Sequence, residues 1–190
     1  MIKREEYLNQ LIKWKDKDLI KVVTGIRRCG KSTLFDLYTE YLLNNGINEN
    51  QIIRINLEDL TYSYLDDYLK LYNYIVEKIT DKKSYYVFLD EIQNIDKWQK
   101  AVDSLHLKKN VDVYITGSNA YLLSGELATL LSGRYIEIKM LPLSFKEYVG
   151  ANPKESSLEN LYRKYISHGS FPYTTNLDDI DDVDKYIKNI

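Results

Sequence analysis

Gly25-Ile-Arg-Arg-Cys-Gly30-Lys31-Ser32, read with its flanks, decides the fold. Leu19-Ile-Lys-Val-Val-Thr24 before it is a short, mostly apolar run of strand length that ends in glycine. After it, Leu34, Leu37, Tyr38, Tyr41 and Leu42 mark one face of a helix that begins near Lys31, with Gly46 as its C-terminal stop. The loop therefore lies between a strand and the amino end of a helix. It fills every fixed position of G-x-x-x-x-G-K-[ST]. Gly25 and Gly30 permit backbone angles without a Cβ penalty, so the loop can wrap an anion and turn its N–H groups inward. The helix terminus adds partial positive charge. These residues predict a triphosphate site formed by Gly25, Ile26, Arg27, Arg28, Cys29, Gly30, Lys31, Ser32 and Thr33. Lys31 is expected to reach the β- and γ-phosphates, and the Ser32 hydroxyl to ligate Mg²⁺. Arg27 and Arg28 either raise the positive potential or pair with acidic neighbours. Cys29 either fills space in the loop or senses redox state, since a thiol near a helix N-terminus ionises more readily.

Outward from the loop, strands and helices alternate. A first helix is expected over residues 3–14, and a second strand over Gln51 to Leu57. Leu65, Tyr68, Leu69, Tyr72, Ile75, Val76 and Ile79 keep a period near 3.6 and predict a long helix. Ser84 to Asp90 is apolar almost throughout, as suits a parallel strand covered on both faces. Trp98, Ala101, Val102 and Leu105 mark the next helix, and Val111 to Thr116 a fourth strand. Residues 120–131 read as helical. Tyr135 to Met140 alternates, with Ile136, Ile138 and Met140 on one side and Glu137 and Lys139 on the other, which predicts an edge-like strand. Ser144-Phe-Lys-Glu147 is a capping box. A helix over 157–167 is stopped by Gly169 and Pro172. Five strands alternating with helices predict an α/β fold, three layers with a mostly parallel sheet and helices on both faces.

Tyr86-Val-Phe-Leu-Asp90-Glu91 is an apolar strand ending in two carboxylates, the Walker B pattern. It delivers Asp90 to the carboxyl edge of the sheet, where the phosphate loop also lies. Asp90 is expected to hold Mg²⁺ through water, and Glu91 to orient and deprotonate an attacking water. Ser118 and Asn119, after the fourth strand, either position that water and contact the γ-phosphate or cap the following helix. Arg134 either acts on a γ-phosphate, of its own chain or a neighbour's, or makes a surface ion pair.

Composition bounds the alternatives. At 190 residues the chain suits one domain with a sizeable core. A net charge of −2 leaves no basic excess for nucleic acid or an anionic membrane. One cysteine permits no internal disulfide, and no signal peptide, lipidation motif or membrane-length apolar run is present, so a cytoplasmic protein is expected. Tyrosine is unusually frequent, 18 residues against 4 phenylalanines. The tyrosines are scattered and many fall on helical apolar faces, which favours packing in the core and at its rim over stacking on bases.

Thr24-Gly-Ile-Arg-Arg-Cys-Gly-Lys-Ser32, Ile55-Asn-Leu-Glu58, Leu89-Asp-Glu-Ile-Gln93, Thr116-Gly-Ser-Asn119, Gly133-Arg134, Leu141-Pro-Leu-Ser-Phe-Lys-Glu147 and Gly169-Ser-Phe-Pro172 follow one another in this order. In that order they resemble the AAA-type ATPases of the additional-strand P-loop class, and within it a prokaryotic AAA-domain family. The resemblance spans about residues 3–175. It implies a sheet in the order 5-1-4-3-2, with the phosphate loop and Asp90 on non-adjacent strands and the fourth strand between them. It also implies a C-terminal domain of poorly defined role, sometimes likened to nuclease-like folds. Ile180, Val183, Ile187 and Ile190 form a helical stripe on which the chain stops, and further downstream sequence is expected from it. The expected organisation is an ATPase core over 1–150 and, over 151–190, a helical segment that begins a truncated C-terminal region.

Three functions remain in play. The first is an ATPase that uses MgATP hydrolysis as a switch or motor, favoured by the carboxylate at Glu91. The second is a nucleotide-dependent module that binds DNA or protein, with slow hydrolysis, through the absent domain. The third is a P-loop small-molecule kinase, for which no arginine-rich lid is visible between residues 100 and 150. No N-K-x-D guanine signature is present, so ATP is the expected nucleotide. Oligomerisation is compatible with all three.

Overall fold

The computed structural model describes residues 2–118, 131, 133–177 and 179–189. Its first part runs α1 (Glu5–Trp14), β1 (Ile20–Gly25), α2 (Lys31–Asn44), β2 (Ile52–Asn56), α3 (Tyr68–Lys78), β3 (Tyr85–Asp90), α4 (Trp98–His106), β4 (Val111–Ser118) and β5 (Tyr135–Met140). Three further helices follow, α5 (Phe145–Ala151), α6 (Leu158–His168) and α7 (Ile180–Lys188). The helix expected over 120–131 falls, save for its last residue, outside the described residues, as does Asn119.

The five strands form one parallel sheet in the order β2-β3-β4-β1-β5, which is the order the resemblance implied. β1 and β3 are buried along their whole length, because helices cover both faces and leave no position for a solvated side chain. Successive side chains go to opposite faces. Val22, Val87, Leu89, Val113 and Ile115 pack under α3 and α4, against Leu71, Ile75, Ala101, Val102 and Leu105. Val23, Tyr86, Phe88 and Tyr114 pack under α1 and α2, against Leu11, Leu34, Phe35, Tyr38 and Leu42. β5 lies at the edge of the sheet; Ile138 and Met140 are buried and Lys139 is exposed, as its alternation predicts.

Element ends differ from the sequence reading for local reasons. The apolar period begins at Leu65, but Asp67 accepts from the N–H groups of Leu69 and Lys70 and starts α3 at Tyr68. β4 runs two residues past Thr116 because Gly25 of β1 pairs with Ser118. Ser144 and Glu147 cap α5 reciprocally, and Gly169, with φ at 71°, ends α6.

Several tyrosines are core residues. The Phe88 and Tyr114 rings stack with centroids 4.8 Å apart. The Tyr38 and Tyr114 hydroxyls lie 2.9 Å apart, and Tyr114 donates to Asp112 Oδ2 at 2.7 Å, so the buried hydroxyls are partnered. Asp112 also pairs with Lys21, which is fully buried in β1 and donates to the Lys17 carbonyl at 2.8 Å.

Candidate functional site

Parallel strands bring their carboxyl ends to one edge, so Gly25, Asp90 and Ser118 close β1, β3 and β4 side by side. The loop from β1 turns through Arg28 (φ 64°) and Gly30 (φ 101°) into α2, aiming that helix's amino end at the same edge. Gly25 is required by close approach, since a Cβ there would lie 2.4 Å from the Met140 carbonyl oxygen. Lys31 is buried; its Nζ donates to the carbonyls of Gly25 at 3.2 Å and Ile26 at 3.4 Å and lies 3.3 Å from Glu91 Oε1. The ammonium is thus held at the loop's centre by its own backbone and by the carboxylate across from it.

Glu91 has φ at 53°, a left-handed conformation that costs a non-glycine residue about 1–3 kcal/mol. Its N–H donates to Thr116 Oγ1 at 2.9 Å, and Thr116 Oγ1 donates to Asp90 Oδ1. Thr116 on β4 therefore fixes both carboxylate-bearing residues at the end of β3. Gln93 Nε2 donates to Glu91 Oε2 at 2.6 Å. The Gln93 Oε1 atom is buried and accepts from no group among the described residues, which costs about 1–3 kcal/mol.

The remaining loop residues divide. Ser32 and Thr33, in the first turn of α2, line a cavity of about 1680 Å³ together with Arg4, Arg28, Lys31 and Glu91, and Pro172, Tyr173 and Tyr186 close its far side. Arg54 donates to the Ser32 carbonyl at 3.0 Å and pairs with Asp36. Arg27 turns outward and pairs with Glu58 at 2.8 Å, whereas the Arg28 guanidinium lies 5.2 Å from the centre of the Tyr186 ring on α7. Ile26 is exposed. Cys29 is fully buried, and burial pushes its thiol up from the ordinary range, which keeps it protonated and suits space filling over redox sensing. Ser118 lines a second cavity of about 500 Å³ with Arg27, Glu58, Glu91, Gln93 and Asn94.

Arg134 is not brought to this edge. The register pairs Ile20 with Tyr135 and Gly25 with Met140, so Arg134 precedes β5 at the amino end of the sheet. Five strand residues at about 3.3 Å each, on the order of 17 Å, separate that end from the loop. Arg134 is exposed there, and its charge opposes the burial that raises Asp103. Action on its own chain's γ-phosphate is excluded by this placement; a neighbour's nucleotide and a surface role remain.

The sequence reading did not single out four residues at the site: Thr116, Gln93, Glu58 and Arg4. Thr116 has a signal, being a fully buried polar residue near the carboxyl end of a strand that is mostly apolar. Arg4 has none. Its guanidinium is buried, and it donates to the carbonyls of Cys29 at 2.9 Å and Leu141 at 2.6 Å and to Glu147 Oε1 at 2.8 Å. It ties the start of the chain to the phosphate loop and to α5.

The inward-turned loop and the amino end of α2 fit the phosphates of a nucleotide. Among the described residues no group of three or more His, Cys, Asp or Glu side chains could cage a metal by itself. Magnesium takes one or two protein oxygens and completes its shell with phosphates and water; of the two residues expected to hold it, Ser32 lines the cavity and Asp90 is buried at the end of β3, where it accepts from Thr116. Among the described residues, no helix is long and apolar enough to cross a membrane.

Known proteins agree with this geometry. A family model described as "AAA domain" matches residues 17–149. The chain is 46% identical over 183 residues to an uncharacterized protein of Haemophilus influenzae, covering 94% of this chain and 46% of that protein. It is 33% identical over 175 residues to an uncharacterized protein of Methanocaldococcus jannaschii, covering 84% and 37%. It spans about half or less of the length of these curated relatives. The Walker-type ATPase of Pyrococcus abyssi superposes with a TM-score of 0.63 at 16% identity, over 98% of this chain and 71% of that one. The ORC1 protein of Aeropyrum pernix, solved in complex with DNA, superposes at 0.62 and 11% identity, over 100% and 62%. These two likenesses are likenesses of fold. With the loop, the paired carboxylates, the strand order and the family match in agreement, the chain belongs to the AAA-type P-loop ATPase family.

Proposed function

We propose that this domain binds MgATP and hydrolyses it, with Glu91 as the base that activates water. The observation that carries the reading is the 3.3 Å separation of Lys31 Nζ and Glu91 Oε1, which sets a carboxylate beside the cation expected to hold the γ-phosphate. Lys31 exchanges Glu91 for phosphate when nucleotide binds, and Glu91 Oε1 is then free to accept a proton from water. The inward N–H groups of the loop and the amino end of α2 hold the phosphate charge. Thr116 fixes Asp90, and Ser118 shares a cavity with Glu91 on the side where water would enter. Magnesium held by Ser32 and Asp90 would neutralise phosphate charge as the terminal bond breaks.

A second role for the same site, as a switch read by a partner, is favoured by one observation. Arg28 of the loop lies against Tyr186 of α7, and Tyr186 lies 4.9 Å from Tyr173, so helices outside the sheet touch the phosphate loop directly. Nucleotide state would shift α7 through Arg28 and so change affinity for DNA, a protein or another copy of the chain. The DNA in the Aeropyrum pernix complex lends interest to the first of these and no residue-level support.

Phosphate release from MgATP without any acceptor tests hydrolysis. Steady turnover that is lost in both Lys31→Ala and Glu91→Gln supports the reading, with nucleotide binding weakened only in the first. Turnover that continues unchanged in Glu91→Gln removes Glu91 as the base, and turnover that needs an added acceptor points to a kinase.

A further inference from the structure

We infer that Gln93 is the positioning residue for Glu91, holding its carboxylate in place once Lys31 has turned to the phosphates; this rests on the reading of Glu91 as the base. The two carboxylate oxygens have different holders. Oε1 faces Lys31 Nζ at 3.3 Å, and Oε2 accepts from Gln93 Nε2 at 2.6 Å. A phosphate competes with Oε1 for the ammonium, because it carries more charge and more acceptor oxygens. The Gln93 amide then retains the carboxylate. A neutral donor suits this position, since a second cation would pair off the negative charge that a base needs.

The carboxylate accepts only, so the NH₂ end of the Gln93 amide must face it and the carbonyl end must turn away. That turn leaves Oε1 buried and without a donor among the described residues. Two residues back, Glu91 itself holds a left-handed backbone. Both departures are unfavourable, and both lie just past the end of β3, beside Lys31 of the phosphate loop. Methionine has nearly the length of glutamine and carries neither the donor nor the orphaned carbonyl. A residue present for packing alone would be served as well or better by it.

The test compares the full chain with Gln93→Met, Glu91→Gln and the double variant. MgATP turnover, MgATP affinity by calorimetry and the melting temperature are measured for each. Gln93→Met is expected to lower kcat roughly 10- to 100-fold, the scale of a misplaced catalytic group. MgATP affinity is expected to stay within about twofold, well under a tenfold step in free-energy terms. The melting temperature is expected to change little, because loss of the donor to Glu91 Oε2 offsets removal of the orphaned Gln93 carbonyl. In the Glu91→Gln background the Gln93 change is expected to add no further loss, because it acts through Glu91. Wild-type turnover in Gln93→Met overturns the inference and leaves the ATPase reading intact. A joint fall of melting temperature and MgATP affinity, or an equal loss in both backgrounds, also overturns it. A wild-type chain that binds MgATP and never turns it over sinks the reading and the inference together.

Discussion

Lys31 Nζ and Glu91 Oε1 are 3.3 Å apart and both side chains are buried, so the phosphate-binding cation and the carboxylate beside it neutralise one another before nucleotide arrives. The pairing keeps a lone charge from being buried. It also sets a competition, because phosphate must displace a carboxylate from Lys31. Glu91→Gln relieves that competition and should bind MgADP more tightly than wild type, by roughly the tenfold that corresponds to about 1.4 kcal/mol. Lys31→Ala should weaken MgADP binding roughly 10- to 100-fold, the worth of a hydrogen bond to a charged group. Calorimetric titration checks both, and weaker binding in Glu91→Gln would show that the pair does not compete.

Arg4 gives the phosphate loop a second support. Its fork spans the Cys29 and Leu141 carbonyls and the Glu147 carboxylate, and its guanidinium carbon lies 4.8 Å from the centre of the Tyr7 ring. Arg4→Met leaves a mostly buried carboxylate and two carbonyls without this donor, which should cost about 3–5 kcal/mol of stability. Arg4→Lys keeps the charge and loses the planar fork, so it should recover part of that stability and less of the nucleotide affinity. Denaturant midpoints and MgADP affinities of the two variants separate the effects. Equal affinity in wild type and Arg4→Lys would show that the Cys29 contact does not shape the loop.

The Lys21–Asp112 pair predicts a pH dependence. Burial raises Asp112 above the ordinary carboxylate value of 3.8 and lowers Lys21, and each partner opposes the shift of the other. Lys21→Met strands Asp112 as an unpaired buried charge, which should cost about 3–5 kcal/mol near neutral pH. A carboxyl whose folded pKa lies above its unfolded value binds its proton first in the folded state, so stability is gained as pH falls through the folded pKa toward about 3.8. The deficit of Lys21→Met relative to wild type should therefore shrink on acidification. Denaturant melts of both proteins at neutral and mildly acidic pH check the sign, and a deficit that grows with acid would contradict it.

Much of this architecture was legible because the burial of β1 and β3 on both faces requires continuous apolar runs, and the sequence contains them. The phosphate loop was legible because its backbone angles and charge admit few residue types. Lys21 and Asp112 were not read as a pair, although each is a single charge inside an apolar strand. Pairing them needs the adjacency of β1 and β4, which lie 91 positions apart at those residues. Arg4 and Glu147 are 143 positions apart and flanked by other charges, so an ordinary solvated surface explained them equally well. Gln93 was quoted only as part of a motif, since an amide gains meaning from the carboxylate it faces. The placement of Arg134 was recoverable. It precedes a strand parallel to β1, and the start of such a strand must lie at the edge opposite the phosphate loop.

That placement makes the effect of Arg134 depend on protein concentration. A guanidinium at the amino edge of the sheet can reach a γ-phosphate only in another copy, packed with that edge against this copy's loop. If Arg134 serves this role, wild-type turnover per chain should rise with protein concentration as copies associate. Arg134→Ala should match wild type in dilute solution and fall behind it as concentration rises, approaching the 10³-fold or so that such arginines supply elsewhere. Mixing Arg134→Ala with Lys31→Ala supplies the sharper comparison. The first variant keeps a competent phosphate loop and the second keeps the arginine, so paired chains complement one another and turnover of the mixture should exceed the sum of the two variants measured separately. Turnover of Arg134→Ala that tracks wild type at every concentration, with no gain on mixing, would reduce Arg134 to its electrostatic contact with Asp103.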